Sequence, residues 1–155
     1  MIAASPPRSV AFARIVAGAI LFCEGYGKVT GSFVHGGFAK SAAEMAAKGY
    51  PFWRPFLERV VVVHPTPFAW AIALGELAIA LSLLFGFLVR WSCAAGIAMM
   101  LAIGFGSSWP GGDPHWHQYV TAWLTQAAYA LLFVIFASAD AGKLWGLDAR
   151  RRANR

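Results

Sequence analysis

Charged residues are scarce in this sequence. Only 13% of its 155 residues are Asp, Glu, Lys or Arg, whereas soluble domains average about 25%. Hydrophobic residues make up 59% of the chain, which excludes a disordered protein and argues against an ordinary water-soluble domain. The composition therefore indicates an integral membrane protein.

Cysteine is also scarce. Cys23 and Cys93 are the only two, and without a CxxC spacing they indicate neither a zinc knuckle nor a disulfide framework. Cys23 lies nine residues after Arg14, and Cys93 lies three residues after Arg90. At a rise of 1.5 Å per residue, the expected depths of the two cysteines in the membrane differ by roughly 9 Å, which is beyond disulfide reach. The sequence also lacks nucleotide-binding glycine loops, nucleophile elbows, CxxCH and HExxH motifs. None of these sites is predicted.

Basic residues form no cluster before the end of the chain. The formal net charge is +6, but the bases are spread over the ends of apolar segments and gather only at Arg150, Arg151, Arg152 and Arg155. This distribution favours anionic lipid headgroups over nucleic acid as the partner. The sequence thus predicts contact with a lipid bilayer and no nucleic-acid binding.

Four apolar windows are long enough to cross a bilayer, which needs roughly 20 residues. They cover residues 10–31, 66–89, 91–108 and 119–139. The first carries Arg14, Glu24 and Lys28, and both bases lie where they could snorkel toward an interface. Because no trustworthy leader cleavage site follows Arg14, this window is expected to remain as a mature helix.

The predicted fold is an all-α integral membrane four-helix bundle, a single domain over residues 1–155. The connection over residues 32–65 is long and contains two helical patterns, at 38–48 and 55–63. These short helices are expected on the membrane surface, with a buried plug as the alternative. A basic tail covers residues 143–155.

Basic residues also predict the orientation of the four spans. One side collects Arg8, Arg14, Arg90, Lys143 and the four tail arginines, and the other has Lys28, Lys40, Lys48, Arg54 and Arg59. The last loop before residue 119 has no Lys or Arg. The positive-inside rule therefore places both termini in the cytoplasm.

Glu76 and Glu24 are the candidate catalytic residues. Glu76 lies roughly 15 Å inside its window at 1.5 Å per residue, on a stripe with Ala69, Ala73 and Ala80 that suits close helix contact. It serves either as a structural hydrogen-bonding group or in redox, proton or ligand chemistry. Glu24 either pairs with Lys28 four residues later or faces one cavity with Glu76.

Polar residues also surround the start of the last window. Asp113, His115 and His117 offer ligand types that suit zinc, copper or iron, although histidines among tryptophans also suit an interfacial belt. Beyond them a polar sector predicts a cofactor-binding surface, or alternatively hydrogen bonding between helices. Its members are His117, Thr121, Thr125, Gln126 and Tyr129.

Three segments together resemble a known family. The first is Arg14, Gly18, Phe22, Gly25 and Lys28 in the first window, the second is LGELAIALSLLFGFLVR ending at Arg90, and the third is AGKLWGLDARR in the tail. Their order and spacing are similar to those of the DoxX family of small bacterial four-helix membrane proteins, over nearly the whole chain. Two departures are Glu24, where a neutral or His residue is expected, and HWHQY, where an entry containing Glu is common.

The resemblance implies a location in the bacterial cytoplasmic membrane and a link to thiosulfate:quinone oxidoreductase or redox-stress complexes. The predicted function is the membrane subunit of a quinone-linked oxidoreductase complex, incomplete as an enzyme without partner proteins. A quinone is the expected cofactor, with a metal as second choice, in an exterior-side cavity around Glu24, Glu76 and His117. The alternative is a noncatalytic membrane anchor or assembly scaffold, and an oligomer is compatible with either function.

Overall fold

The computed structural model describes residues 7–149, and within them every regular element is helical. The α-helices are α1 (Arg8–Thr30), α2 (Phe38–Lys48), α3 (Arg54–Phe56), α4 (Pro65–Phe85), α5 (Val89–Ser107) and α6 (Trp116–Ser138). Wide π-helical turns cover Phe33–Gly37 and Leu57–Val61, and a 3₁₀ turn covers Ala141–Lys143. The all-α prediction is confirmed.

Among the described residues, four helices are long and apolar enough to cross a membrane: α1, α4, α5 and α6. They lie close to the four predicted windows, with one clear difference. The window 66–89 is too long, because α4 ends at Phe85. Gly86 and Leu88 then adopt left-handed backbone conformations, with φ of 64° and 52°, and this reversal starts α5 at once.

The helices pack as two close pairs, α1 against α4 and α5 against α6, and α4 contacts α5. In the first pair, Gly18 lies against Leu84 and Gly25 against Leu77, so the helices are antiparallel. A Cβ added to Gly18 would lie 2.9 Å from the Leu84 backbone nitrogen. This glycine therefore sets how closely the two helices approach.

Aromatic rings of α6 fill the space that glycines leave on α5. A Cβ at Gly96 would lie 2.6 Å from the Phe133 ring, and one at Gly104 would lie 2.4 Å from the Trp123 ring. Both glycines and Phe133 are buried. These two contacts determine which side of α6 faces α5.

The connection between α1 and α4, residues 31–64, packs into the bundle and is here called the packed connection. Phe38, Ala42 and Ala46 on α2 are buried and share one hydrophobic cluster with Ala69 and Ala73 on α4. The α2 helix also contacts α5. Of the two predicted placements, the structure therefore has the plug packed among the helices.

The second short helix of this connection is shorter than predicted. An α-helix was expected over residues 55–63, whereas α3 covers only Arg54–Phe56 and continues as the π-helical turn Leu57–Val61. The wider turn still buries Leu57 and Val61 in the same cluster. Packing of these two side chains has thus overridden the regular helical repeat.

The end of the described chain folds back onto the α4–α5 turn. The Asp148 backbone N–H donates to the Gly86 carbonyl at 2.9 Å. Its carboxylate accepts from the backbone N–H groups of Leu88 at 3.0 Å and Val89 at 3.2 Å. Asp148 thus satisfies free donors at the start of α5.

Arg14 joins this same end of the bundle. Its side chain is 0% exposed and donates to the carbonyls of Leu83 at 2.6 Å, Trp145 at 3.2 Å and Leu144 at 3.5 Å. The prediction that Arg14 snorkels to an interface is wrong, because backbone carbonyls replace water around the guanidinium. The four tail arginines, Arg150, Arg151, Arg152 and Arg155, lie outside the described residues.

Candidate functional site

An ion pair crosses the interface between α1 and α4. Lys28 Nζ lies 2.5 Å from each carboxylate oxygen of Glu76. Glu76 is only 5% exposed, while the Lys28 side chain keeps 26% of its surface exposed. The carboxylate is therefore enclosed, and the pair is open only on the lysine side.

The antiparallel packing explains why these residues meet. Gly25 contacts Leu77, which follows Glu76 in α4, and helical side chains point back toward the N-terminus of their own helix. The Lys28 side chain accordingly reaches back one turn, to the level of Gly25. Removing one member of such a pair would leave an uncompensated charge against apolar neighbours.

The predicted arrangements of Glu24 are not found. Glu24 is exposed on α1, and Lys28 pairs across the interface with Glu76. The local Glu24–Lys28 ion pair is therefore wrong. The alternative of two carboxylates in one cavity fails too, since Glu76 is buried beneath α1 while Glu24 lies on an exposed surface. Their suggested catalytic roles remain predictions.

Aromatic rings lie beside the lysine of the ion pair. Lys28 Nζ lies 5.7 Å from the centroid of the Phe33 ring, within cation–π range. The Phe33 and Phe38 rings are 5.2 Å apart. This chain of contacts leads from the charged pair to the packed connection.

Phe38 is also one wall of an apolar cavity of about 270 Å³. The cavity lies between the packed connection, α4 and α5. Its other lining residues are Met45, Trp53, Phe56, Leu57, Val61, Phe68, Ile72, Met99, Ala102 and Ile103. Met99 also lines a second apolar groove of about 410 Å³ between α4 and α5. The two spaces together suit a hydrocarbon chain or an apolar ring.

The polar sector predicted for α6 does not line this cavity. His117, Thr121 and Thr125 are exposed, and Tyr129 is half-buried. The Thr121 hydroxyl donates within its own helix, to the carbonyls of His117 and Gln118, both at 3.1 Å. None of these residues lines the apolar cavity described above, and their role in binding a cofactor remains a prediction.

The rotation of α6 explains this difference. Trp123 and Phe133 fill the spaces over Gly104 and Gly96, and they turn His117, Thr121 and Thr125 outward. Gln126, another member of the predicted sector, is half-buried, and its side-chain oxygen is enclosed. Tyr129 packs against the main hydrophobic cluster instead. Hydropathy alone does not fix this rotation, because α6 has apolar residues all round its axis.

His115 has a structural role that the sequence analysis did not predict. It is the N-cap of α6 in a reciprocal capping arrangement with Gln118, whose side-chain oxygen accepts from the His115 backbone N–H at 3.1 Å. The rings of His115 and His117 are stacked with centroids 5.8 Å apart. Across residues 7–149, no three His, Cys, Asp or Glu side chains, Asp113 included, are grouped to hold a metal ion.

The pairing of Lys28 with Glu76 was not predicted from the sequence. A signal exists in α1, where Arg14, Gly18, Leu21, Gly25 and Lys28 follow steps of four, three, four and three. The first four of these residues are buried. This spacing marks one helix face, and it would have directed Lys28 toward another helix and away from Glu24.

The comparisons with known proteins give one match. The family model described as DoxX matches residues 9–109, which is well over half of the chain. The matched part contains the ion pair and the packed connection. No curated protein and no solved structure matches the chain.

Proposed function

Because the chain belongs to the DoxX family of membrane proteins, we propose that it is the membrane subunit of a quinone-linked redox complex. The observation that carries this proposal is the enclosed Lys28–Glu76 ion pair beside an apolar cavity. A lipid quinone has a polar ring and a hydrocarbon tail, so it needs both kinds of surface. Phe33 and Phe38 connect the two features.

In the proposed reaction, this chain binds the quinone and a partner protein supplies the electrons. Reduction of a quinone adds an electron pair to the ring and a proton to each carbonyl oxygen. In this proposal the electron pair comes from the redox centre of a partner protein. Lys28, which is partly exposed, donates one of the two protons and water supplies the other, while Glu76 holds the lysine in place through its carboxylate. The chain is thus an incomplete enzyme by itself.

Quinone binding is testable with the purified protein in lipid nanodiscs. A short-tailed quinone should quench tryptophan fluorescence saturably, because Trp53 lines the cavity. Ala102→Trp should weaken binding about tenfold, since exposed Ala102 borders the cavity. Ala94→Trp places the same ring at another exposed position of α5 and should leave binding unchanged. Equal quenching in all three proteins would refute a specific site.

A second variant tests the ion pair. Lys28→Met combined with Glu76→Leu removes both charges and so leaves neither unpaired. It should weaken quinone binding while a ringless isoprenoid alcohol competes for the cavity as before. Unchanged quinone affinity would exclude a contact between the quinone ring and this pair.

We also propose a bacterial inner-membrane location with both termini in the cytoplasm. Arg8, Arg90 and Lys143 lie at one end of the bundle, and the loop before α6 carries no Lys or Arg. In a cysteine-free background, a membrane-impermeant maleimide should label Gly112→Cys in intact spheroplasts. Leu147→Cys should react only after permeabilisation, and its labelling before that step would reverse the orientation.

A noncatalytic anchor is the second candidate function, and α6 favours it. This helix has few buried residues, Phe133 and Phe136, and its outer half presents His117, Thr121 and Thr125. Exposed polar groups in a membrane helix suit contact with a partner helix. Absence of quinone binding, together with loss of a stoichiometric partner in Thr121→Leu/Thr125→Leu, would favour this function over the first.

A further inference from the structure

The net positive charge of the chain is concentrated at one end of the bundle. Arg8, Arg14, Arg90 and Lys143 belong to this end, here called the basic end, and the four tail arginines follow it in the sequence. Two of the seven acidic residues belong to the same end. The other five acids balance the other five bases, so the basic end and the tail account for the whole formal net charge of +6. Such a concentration of charge attracts anionic partners.

Both acids of the basic end are already engaged within the protein. Asp140 pairs with Lys143, and Asp148 caps the start of α5. Arg90 lies 3.9 Å from Asp140, and its side chain is 74% exposed. The guanidinium of Arg90 is therefore accessible to a further anion.

A cleft of about 480 Å³ lies at the basic end, between the end of α4 and the segment that follows the 3₁₀ turn. Its lining residues are Leu84, Phe85, Trp145, Gly146, Leu147 and Ala149. Phe85, Trp145 and Leu147 are exposed. The α4 helix is long and apolar enough to cross a membrane, so its end lies near the lipid headgroups. Exposed aromatic and apolar side chains at this level suit contact with lipid.

Contacts with the bundle fix the walls of the cleft. Gly146 packs on the α4–α5 turn so closely that a Cβ added at Gly86 would lie 2.5 Å from the Gly146 Cα atom. Before this contact, Arg14 donates to the Trp145 carbonyl at 3.2 Å, and after it Asp148 caps α5. The exposed side chains of the cleft therefore belong to a segment that is held in place.

We propose that this cleft binds an anionic phospholipid. Its apolar walls suit the glycerol backbone and the upper acyl chains, and the bases of this end suit the phosphate group. Ala149 lines the cleft, and in the sequence it is followed directly by Arg150, Arg151 and Arg152. Each basic residue near an anionic membrane surface strengthens binding about fivefold. The proposal is independent of quinone binding.

Charge together with apolar surface distinguishes a phospholipid from other phosphate compounds. A nucleic acid or free phosphate would neutralise the bases but would leave Phe85 and Leu147 uncovered beside them. A zwitterionic lipid would cover these side chains, but its headgroup has no net charge to match the bases. A lipid with a net negative headgroup matches both features.

Lipid binding to the purified full-length protein provides the first test. In detergent, native mass spectrometry should detect bound dioleoylphosphatidylglycerol with an affinity about tenfold higher than that of dioleoylphosphatidylcholine. Inorganic phosphate or a short DNA duplex should not displace the bound lipid. Equal affinities for the two lipids, or displacement by either competitor, would overturn the proposal.

Matched phenylalanine variants test the apolar wall. Phe85→Ala removes a ring from the cleft and should weaken binding of dioleoylphosphatidylglycerol about tenfold. Phe12→Ala removes a ring of similar exposure, 63% compared with 60%, that does not line the cleft. This control should bind the lipid like the native protein. Equal losses in the two variants, or no loss in Phe85→Ala, would refute the cleft as the binding site.

Matched charge variants test the arginines that follow the cleft. Arg150→Gln combined with Arg151→Gln should weaken binding of dioleoylphosphatidylglycerol about tenfold and leave dioleoylphosphatidylcholine unaffected. Lys40→Gln combined with Lys48→Gln removes two exposed bases from the packed connection and should change neither affinity. If both pairs of substitutions have the same effect on dioleoylphosphatidylglycerol, a specific contribution of the basic end is excluded and the proposal fails.

Discussion

Trp123 Nε1 donates a hydrogen bond of 2.8 Å to the Tyr50 hydroxyl, which joins α6 to the segment that follows α2. Tyr50 also contacts Phe105 and Trp109 through their rings, and its backbone N–H donates to the Phe105 carbonyl at 2.9 Å. One tyrosine thus links the packed connection to α5 and α6 at the predicted outer end of the bundle.

This contact gives the first prediction. Tyr50→Phe keeps the aromatic packing but loses the hydroxyl, so it should lower the free energy of unfolding by about 1 kcal/mol. Trp123→Ala also empties the space over Gly104 and should cost about 3–5 kcal/mol. Thermal unfolding in detergent compares the two variants. A larger effect of Tyr50→Phe would contradict this assignment.

The ion pair gives the second prediction. Glu76→Leu leaves the Lys28 ammonium without its partner and should destabilise the protein by about 2–4 kcal/mol, toward the lower end of buried-pair values since Lys28 is partly exposed. Adding Lys28→Met should restore most of that loss, because no charge is then left unpaired. Unfolding in a graded detergent mixture measures both variants. If the double variant is no more stable than Glu76→Leu, the two residues are not coupled.

The third prediction concerns the cap on α5. Asp148→Ala removes the acceptor of two backbone N–H groups and should cost about 0.5–2 kcal/mol. Asp148→Asn keeps one side-chain acceptor oxygen and should cost less. Hydrogen exchange at Leu88 and Val89 reports the local effect directly. Unchanged exchange in Asp148→Ala would show that another group caps the helix.

Glycine contacts give the fourth prediction. Gly18→Val would drive a side chain into the backbone of α4 at Leu84 and should prevent folding of the α1–α4 pair. Gly27→Val, in the same helix, faces open space and should retain the native unfolding temperature in detergent. The comparison controls for the β-branched side chain in α1. Similar yields of folded protein from both variants would refute the packing.

Much of the fold was predictable because long uncharged runs have few alternatives. Within residues 7–149, α1, α4, α5 and α6 lie where the four windows predicted membrane helices. The end of α4 was missed because its apolar run continues past Gly86, and only the left-handed backbone there stops the helix. Hydropathy measures what a segment buries and says little about where its backbone turns.

The site was harder to predict because it depends on the rotation of the helices. Sequence distance favoured pairing of Lys28 with Glu24, whereas packing of α1 through Gly18 and Gly25 directed it to Glu76. The partners of Arg14 are backbone carbonyls. Every residue has a carbonyl, so no residue type in the sequence marks such partners.

The buried guanidinium of Arg14 also has a consequence for the order of assembly. Arg14 belongs to the first of the four described spans, yet two of its acceptors, Leu144 and Trp145, follow the last of them. Unsatisfied donors on a buried cation are costly, so α1 and α4 cannot reach their final state as an isolated early pair. Completion of the bundle therefore waits for the segment after α6, and a protein truncated after Ser138 would leave Arg14 Nη2 without its two carbonyl acceptors.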